Sequence, residues 1–193
     1  MLIEIRNLRK LFKTKVVFKS LDLDIPEKGI VLIKGKNGAG KSTLLKIISK
    51  FIKKDSGEII YNDPLFFKKS SFLLDEKIMI DSLTFEDNMM LVGSILKMKK
   101  DDVDQSISFY KDLFHLPDSE YYGNFSLGMK KKAEIARTLL GDPKYIFWDE
   151  PFNSLDTQSV NLIMEQVIND KKLFLIITHE NILDSIATDI IVI

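Results

Sequence analysis

The chain has 193 residues, enough for one domain with a substantial buried core. Apolar residues make up 45% of it, which excludes general disorder, and 28 basic against 28 acidic side chains leave no basic surplus of the kind a nucleic-acid partner usually brings. With no cysteine, disulfides, thiolate metal sites and cysteine nucleophiles are excluded, as suits a reducing compartment.

At the front, MLIEIRNLRK is too short and too charged for a signal peptide. Leu2, Ile3 and Ile5, then Val16, Val17, Leu21, Leu23 and Ile25, predict a small antiparallel sheet. Ile30 to Ile33 is wholly apolar and of strand length. With Tyr145 to Trp148 and Leu173 to Ile177 it predicts a mostly parallel sheet buried on both faces. Leu44, Leu45, Ile47 and Ile48 mark one face of a helix, and Ile59 to Tyr61 and Ser71 to Leu74 are shorter strand candidates. From about Phe85 to Phe125 the rhythm breaks. Met89, Met90, Val92, Gly93, Ile95 and Leu96 suggest helix there, and the mixed charges of Lys97 to Asp104 read as a solvated helix surface or turn. Val160, Ile163, Met164, Val167 and Ile168 line one face of a later helix, and Ala187 to Ile193 closes on a last strand. No apolar run approaches the roughly 20 residues of a transmembrane helix, so any membrane association must run through a partner protein.

The segment GKNGAGKST follows the Ile30 to Ile33 strand and opens the next helix, which is where a P-loop must lie. Gly35, Gly38 and Gly40 permit close backbone approach, so that consecutive amides, with Lys36, Asn37 and Ala39 among them, can surround phosphate oxygens at a helix N-terminus. Lys41 supplies a charge to the outer phosphates, Ser42 a hydroxyl for Mg²⁺, and Thr43 a second hydroxyl near the inner phosphates. In YIFWDE, Asp149 ends an apolar strand and would hold Mg²⁺, while Glu150 is placed to polarise an attacking water. A glycine-rich turn and a carboxylate pair capping a strand are the plain alternatives. Their joint occurrence argues against both. The fold class expected is α/β: a P-loop NTPase with a mostly parallel central sheet, a small N-terminal antiparallel sheet and a helical insertion at about 85–125, in one domain spanning 1–193.

With these motifs in order, the chain resembles the ATP-binding cassette family, the nucleotide-binding subunits of ABC transporters, over essentially its whole length. NFSLGMKKK, Asn124 to Lys132, is similar to the family signature, with Phe125, Ser126, Leu127, Gly128 and Met129 at the positions usually reading Leu-Ser-Gly-Gly-Gln. The form is closest to bacteriocin and peptide-antibiotic exporters. Leu127 and Met129 depart from the pattern, which bears on turnover rather than docking. The resemblance implies that Ser126 and Gly128 meet the γ-phosphate bound to a partner subunit. As a helix start, Ser126 is also a good N-cap, with Ala133, Ala136 and Leu139/Leu140 as the buried face behind it. PFNSLD, Pro151 to Asp156, is similar to the dimer-contacting loop, and Asp156 could equally be an N-cap. His179 matches the switch histidine that aligns Glu150 and water. Phe12 lies where the family stacks an aromatic ring on adenine, although a core role is open to it. Asp75, or Glu76 one residue on, falls where a glutamine commonly meets Mg²⁺ or water in the loop Leu73 to Asn88, which links nucleotide to transporter. Together with the helical insertion, this loop is expected to form the docking surface for the membrane partner. Met89 and Met90 either belong to that surface or pack the insertion's core.

The function implied is the Mg²⁺-dependent ATPase of an ABC transporter, working as a homodimer or heterodimer with a second ATP-binding subunit. Its other partner would be a polytopic membrane permease that holds it on the cytoplasmic face of the membrane, with export as the direction. A soluble ABC-type ATPase acting on nucleic acid or ribosomes is less well matched, because no coiled-coil insertion or basic extension is present. A small-molecule kinase would leave NFSLGMKKK and His179 unexplained, and a low-turnover regulator draws on Asp75 and Met129. The family's hairpin after the last strand is absent, as in a minimal or shortened subunit.

Overall fold

Alternation of apolar and polar residues builds the first sheet. The computed structural model describes residues 1–168 and 171–193, the side chains of 166–168 excepted. β1 (Ile3–Phe12) and β2 (Lys15–Ile25) form a hairpin whose tight turn places Lys13 at φ 51, and their antiparallel register pairs Ile3 with Ile25. β4 (Ser56–Tyr61) joins the other edge of β1, so Ile59 to Tyr61 belongs to this small sheet in the order β2-β1-β4.

The second sheet is parallel throughout. β3 (Gly29–Lys34), β5 (Ser70–Leu73), β6 (Tyr145–Asp149), β7 (Leu173–Ile177) and β8 (Asp189–Val192) are ordered β5-β6-β7-β3-β8. Every residue of β6 and β7 is buried, as expected of central strands without alternation. β8, at an edge, is mostly exposed and begins with Asp189, a polar residue of the kind that blunts an open edge. Each fully buried Leu, Ile or Phe contributes about 1.5–3 kcal/mol, so these central runs carry much of the fold.

α1 (Lys41–Ile48) turns Leu44, Leu45, Ile47 and Ile48 into a core shared with Ile3, Ile5, Val31, Ile33 and Phe147. A four-residue helix, α2 (Phe66–Lys69), has no counterpart in the sequence periodicity. It exists to seat Phe66, whose ring lies 4.7 Å from Tyr61, 5.8 Å from Tyr145 and 5.7 Å from Phe147. Asp63 anchors this corner: it accepts from the Tyr145 hydroxyl and the Lys69 ammonium, each at 2.8 Å.

The chain divides into two compact units. The first comprises Met1–Asp75, Lys144–Glu150 and Lys171–Ile193, and holds both sheets; the second comprises Glu76–Pro143 and Pro151–Asp170. Within the second lie α3 (Phe85–Ile95), α4 (Lys100–Phe114), a 3₁₀ turn (Tyr122–Asn124), α5 (Leu127–Leu139) and α6 (Thr157–Ile168). Thr84 opens α3 with a capping box: its hydroxyl accepts from Asp87 N–H while the Asp87 carboxylate reaches back. Gly93 lets α3 approach α4, since a Cβ there would collide with the Val103 side chain. Met89 is completely buried and packs the core of this unit, whereas Met90 is half-buried. Val160 and Ile163 are buried on α6 as expected, Met164 is half-buried, and the Val167 and Ile168 side chains lie outside the described residues. Among the described residues no helix is long and apolar enough to cross a membrane.

Candidate functional site

Three neighbouring strands of the parallel sheet, β6, β7 and β3, end on the same side, and the residues that follow them converge there. Carboxyl ends of parallel strands are where α/β sheets bind ligands. The loop after β3 runs from Gly35 to Gly40, and α1 begins at Lys41. Gly40 occupies φ 107 as the helix N-cap, and a Cβ on it would press to 2.7 Å from the Phe18 ring, so both backbone and space require glycine. No side chain caps α1, which leaves its first-turn amides for a ligand. Lys41 is 7% exposed and curls back across the loop, donating to Gly35 O at 2.9 Å and Lys36 O at 3.3 Å.

This loop borders a cleft of about 350 Å³. Phe12, Lys15 and Val17 line it from the hairpin, Asn37, Gly38, Gly40, Lys41, Ser42 and Thr43 from the P-loop, and Glu150 and His179 from the strand ends. Phe12 is half-exposed there, with the Lys10 ammonium 4.9 Å above its ring and held in turn 3.4 Å from Asp55. Sequence reasoning placed Val17 in a strand and did not assign it or Lys15 to the site. Their signal was the i, i+2 spacing of one strand face directly after Phe12. Gly35, Lys36 and Ala39 belong to the loop without lining the cleft.

Asp149, 6% exposed, ends β6 opposite Ile177. Glu150 follows in left-handed backbone, φ 47, tied by its N–H to Ile177 O at 2.9 Å. Such a φ is uncommon outside glycine and here aims the residue after a buried strand into the cleft. His179 follows buried Thr178 at the end of β7, and its Nε2 lies 3.2 Å from Glu150 Oε1, a close contact without hydrogen-bond alignment. Burial pushes the Glu150 carboxyl above the ordinary glutamate value, and nearby Asp149 adds to this. His179 and Lys41 pull it down.

The signature segment lies in the second unit. Ser126 is the N-cap of α5, its hydroxyl accepting from Met129 N–H at 3.2 Å. Ala133, Ala136 and Leu140 are buried, Leu139 is half-buried, and Leu127 is 75% exposed. A Cβ on Gly128 would stand 2.8 Å from the carbonyl oxygen of Ser154, which is itself at φ 69. Asp156 caps α6: Ser159 N–H and Oγ both donate to it at 2.8 Å, which holds its carboxyl down at about 2. Asp75 is exposed at the end of a stretch of the first unit and does not line the cleft, whereas Glu76, the first residue of the second unit, is half-buried.

The family pattern described as "ABC transporter" matches residues 18–153, about 70% of the chain. The lantibiotic transport ATP-binding protein SrtF of Streptococcus pyogenes is 29% identical over 92% of this chain and 80% of its own length. The petrobactin import ATP-binding protein YclP of Bacillus subtilis is 32% identical over 99% of this chain and 82% of its own. Among solved structures, the dimeric post-hydrolysis state of the ATP-binding cassette MJ0796 with ADP and Pi superposes with a TM-score of 0.83 at 22% identity, over 99% of this chain and 94% of that one. The relatives include import as well as antibiotic-transport subunits, so the likeness is wider than the peptide-antibiotic exporters that the signature suggests. This chain therefore belongs to the ABC transporter family, as an ATP-binding and ATP-hydrolysing subunit.

Proposed function

We propose that the cleft beside Gly35 to Thr43 holds Mg²⁺-ATP and that two subunits close head to tail on it to drive a separate membrane permease. The observation that carries this reading is the convergence of Lys41, Ser42, Glu150 and His179 on one cleft at neighbouring strand ends. The P-loop amides and Lys41 bind the phosphates, and Phe12 offers its exposed ring to adenine. Ser42 and buried Asp149 are hard oxygen donors that suit Mg²⁺. When bound, the ion neutralises charge developing on the phosphates. Glu150, ionised, accepts a proton from the water that attacks the γ-phosphorus, and His179 holds that carboxylate in line. The Ser126 N-cap and Gly128 of the partner subunit supply amides and a helix dipole to the γ-phosphate.

We assign the two units to one ATP-binding domain, with about 85–125 as its helical subdomain and the loop at Asp75 and Glu76 facing the permease. Exposed Ile78 and Ile80 support that loop as a contact surface. The permease would hold the subunit on the inner face of the cell membrane. We assign export, on the form of the signature segment Phe125 to Met129. Transport into inverted vesicles carrying the assembled complex supports export, and uptake only by right-side-out vesicles overturns it.

Light scattering on Glu150→Gln tests the closure. With Mg²⁺-ATP the variant doubles in mass, while Ser126→Arg added to it stays monomeric. A variant that binds ATP stoichiometrically yet remains monomeric, alone and beside its permease, overturns the sandwich.

A further inference from the structure

The buried glutamate of α5 is a charged group that the ATPase site does not use. Glu134 is 9% exposed, and its Oε2 accepts from Arg137 Nε at 2.7 Å. Its Oε1 reaches out of the helix to accept from the backbone N–H of Met79 at 3.1 Å, in the loop before α3. The next amide, Ile80 N–H, donates at 2.8 Å to Asn88 Oδ1 on α3, and Asn88 Nδ2 returns to Ile80 O at 3.1 Å and Thr84 O at 2.9 Å. Two consecutive loop amides are thus held by side chains of two different helices.

The far end of the loop is tied in the same way to the turn that leads into α5. Tyr122 N–H donates to Leu83 O at 2.8 Å and Gly123 N–H to Asp81 O at 2.9 Å, while Lys130 of α5 donates to Gly123 O at 2.8 Å. Burying an ion pair costs desolvation that a hydrophobic pair would avoid, so Glu134 and Arg137 are a poor solution for packing alone. They are a good solution for fixing one loop amide relative to one helix.

We propose that Glu134 is a positioning residue that makes the loop Met79–Thr84 and the signature helix α5 one mechanical body, so that displacement of the loop reaches Ser126 and closure at Ser126 reaches the loop. The proposal rests on the reading that Ser126 meets nucleotide on a partner subunit. Ser126 lies eight residues before Glu134 on the same helix, about 12 Å at 1.5 Å per residue, with no break between them. Ile80 presents an exposed side chain on the loop and Ile78 another just before it, while the amides of Met79 and Ile80 are tied to helices. The loop can therefore be pushed from outside without losing its register to α5.

Hydrogen–deuterium exchange on the purified chain in the Glu150→Gln background, with and without Mg²⁺-ATP, tests this. ATP should slow exchange in peptides covering both 126–130 and 79–84. Glu134→Met, which keeps volume and helix propensity but removes the acceptor, should retain the ATP response at 126–130. At 79–84 it should exchange about tenfold or more faster, the factor expected for a lost bond to a charged group. Glu134→Gln keeps a carbonyl for Met79 N–H and should restore the response. Should Glu134→Met fail to fold, Glu134→Ala carries the same expectation. A loop response that survives loss of the acceptor overturns the proposal, as does a signature response with no loop response in the Glu134-intact chain. Silence at 126–130 as well as at 79–84, with ATP bound, overturns the sandwich reading and this proposal together.

Discussion

The two units solve opposite problems. In the first, the reactive groups are delivered by backbone: β3, β6 and β7 are neighbours, and the residues that leave them form one cleft. In the second, the residues of interest sit on a helix surface, with Ser126 capping α5 and Leu127 75% exposed. A parallel sheet buried on both faces is stiff and places its strand ends closely, which suits chemistry on a phosphorus atom. A helix N-terminus presents amides to whatever is brought to it, which suits a reversible contact. The difference teaches that one chain can hold some groups in a cleft through its strand ends and present others at the exposed start of a helix.

The largest effect should fall on the first unit's chemistry. Glu150→Gln should lower kcat by about 10²–10⁴, the worth of a positioned base, while ATP binding measured by calorimetry persists. Because burial raises the Glu150 carboxyl, the acid limb of ATPase activity should lie above the ordinary glutamate value of about 4.3. Proton linkage has the matching sign: a raised folded-state value favours the fold most below the ordinary value, and that contribution is lost as pH rises through the raised one. Denaturation of Glu150→Gln should lack this increment. Equal turnover in both proteins would remove Glu150 from the chemistry.

Lys41→Ala comes next. It deletes both a cation for the phosphates and the bonds to Gly35 and Lys36 carbonyls, and should weaken ATP by about 10- to 100-fold, as for hydrogen bonds to charged groups. Unchanged affinity in a calorimetric titration would refute the P-loop assignment.

Two smaller effects belong to the second unit and should appear in stability first. Gly93→Ala must push α3 off Val103, costing about 1–3 kcal/mol for overpacking, offset by up to about 1 kcal/mol of better helix propensity. A urea midpoint at or above that of the parent would show that α3 and α4 have room to spare. Thr84→Ala removes the cap of α3 and should cost about 0.5–2 kcal/mol by the same measurement, with ATP affinity of the first unit unchanged. A large loss of ATP affinity there would show that the cap of α3 matters to the nucleotide site as well as to stability.

What the sequence determined by itself is the part written in contiguous residues. An apolar run of four or five residues with no polar face, rich in β-branched and aromatic residues, is too short for a helix of ordinary length and fits a strand covered on both sides. GKNGAGKST after such a run specifies a phosphate loop through local backbone demands, most plainly at Gly40. Asp149 and Glu150 after YIFW, and His179 after LFLIIT, were legible for the same reason: they sit at the ends of unmistakable strands. Tertiary structure alone decided what depends on distant partners. It assigned Ile59 to Tyr61 to the small sheet through pairing with Ile3, and it made a four-residue helix around Phe66 because the rings of Tyr61, Tyr145 and Phe147 were there to receive it. It brought Lys15 and Val17 to the cleft, left Asp75 exposed and away from the cleft lining, and buried Met89. Glu134 is the sharpest instance. In the run KKKAEIAR nothing local sets it apart from the neighbouring charges. Only the fold brings Met79 N–H to it, because a hydrogen bond across 55 residues leaves no trace in local periodicity.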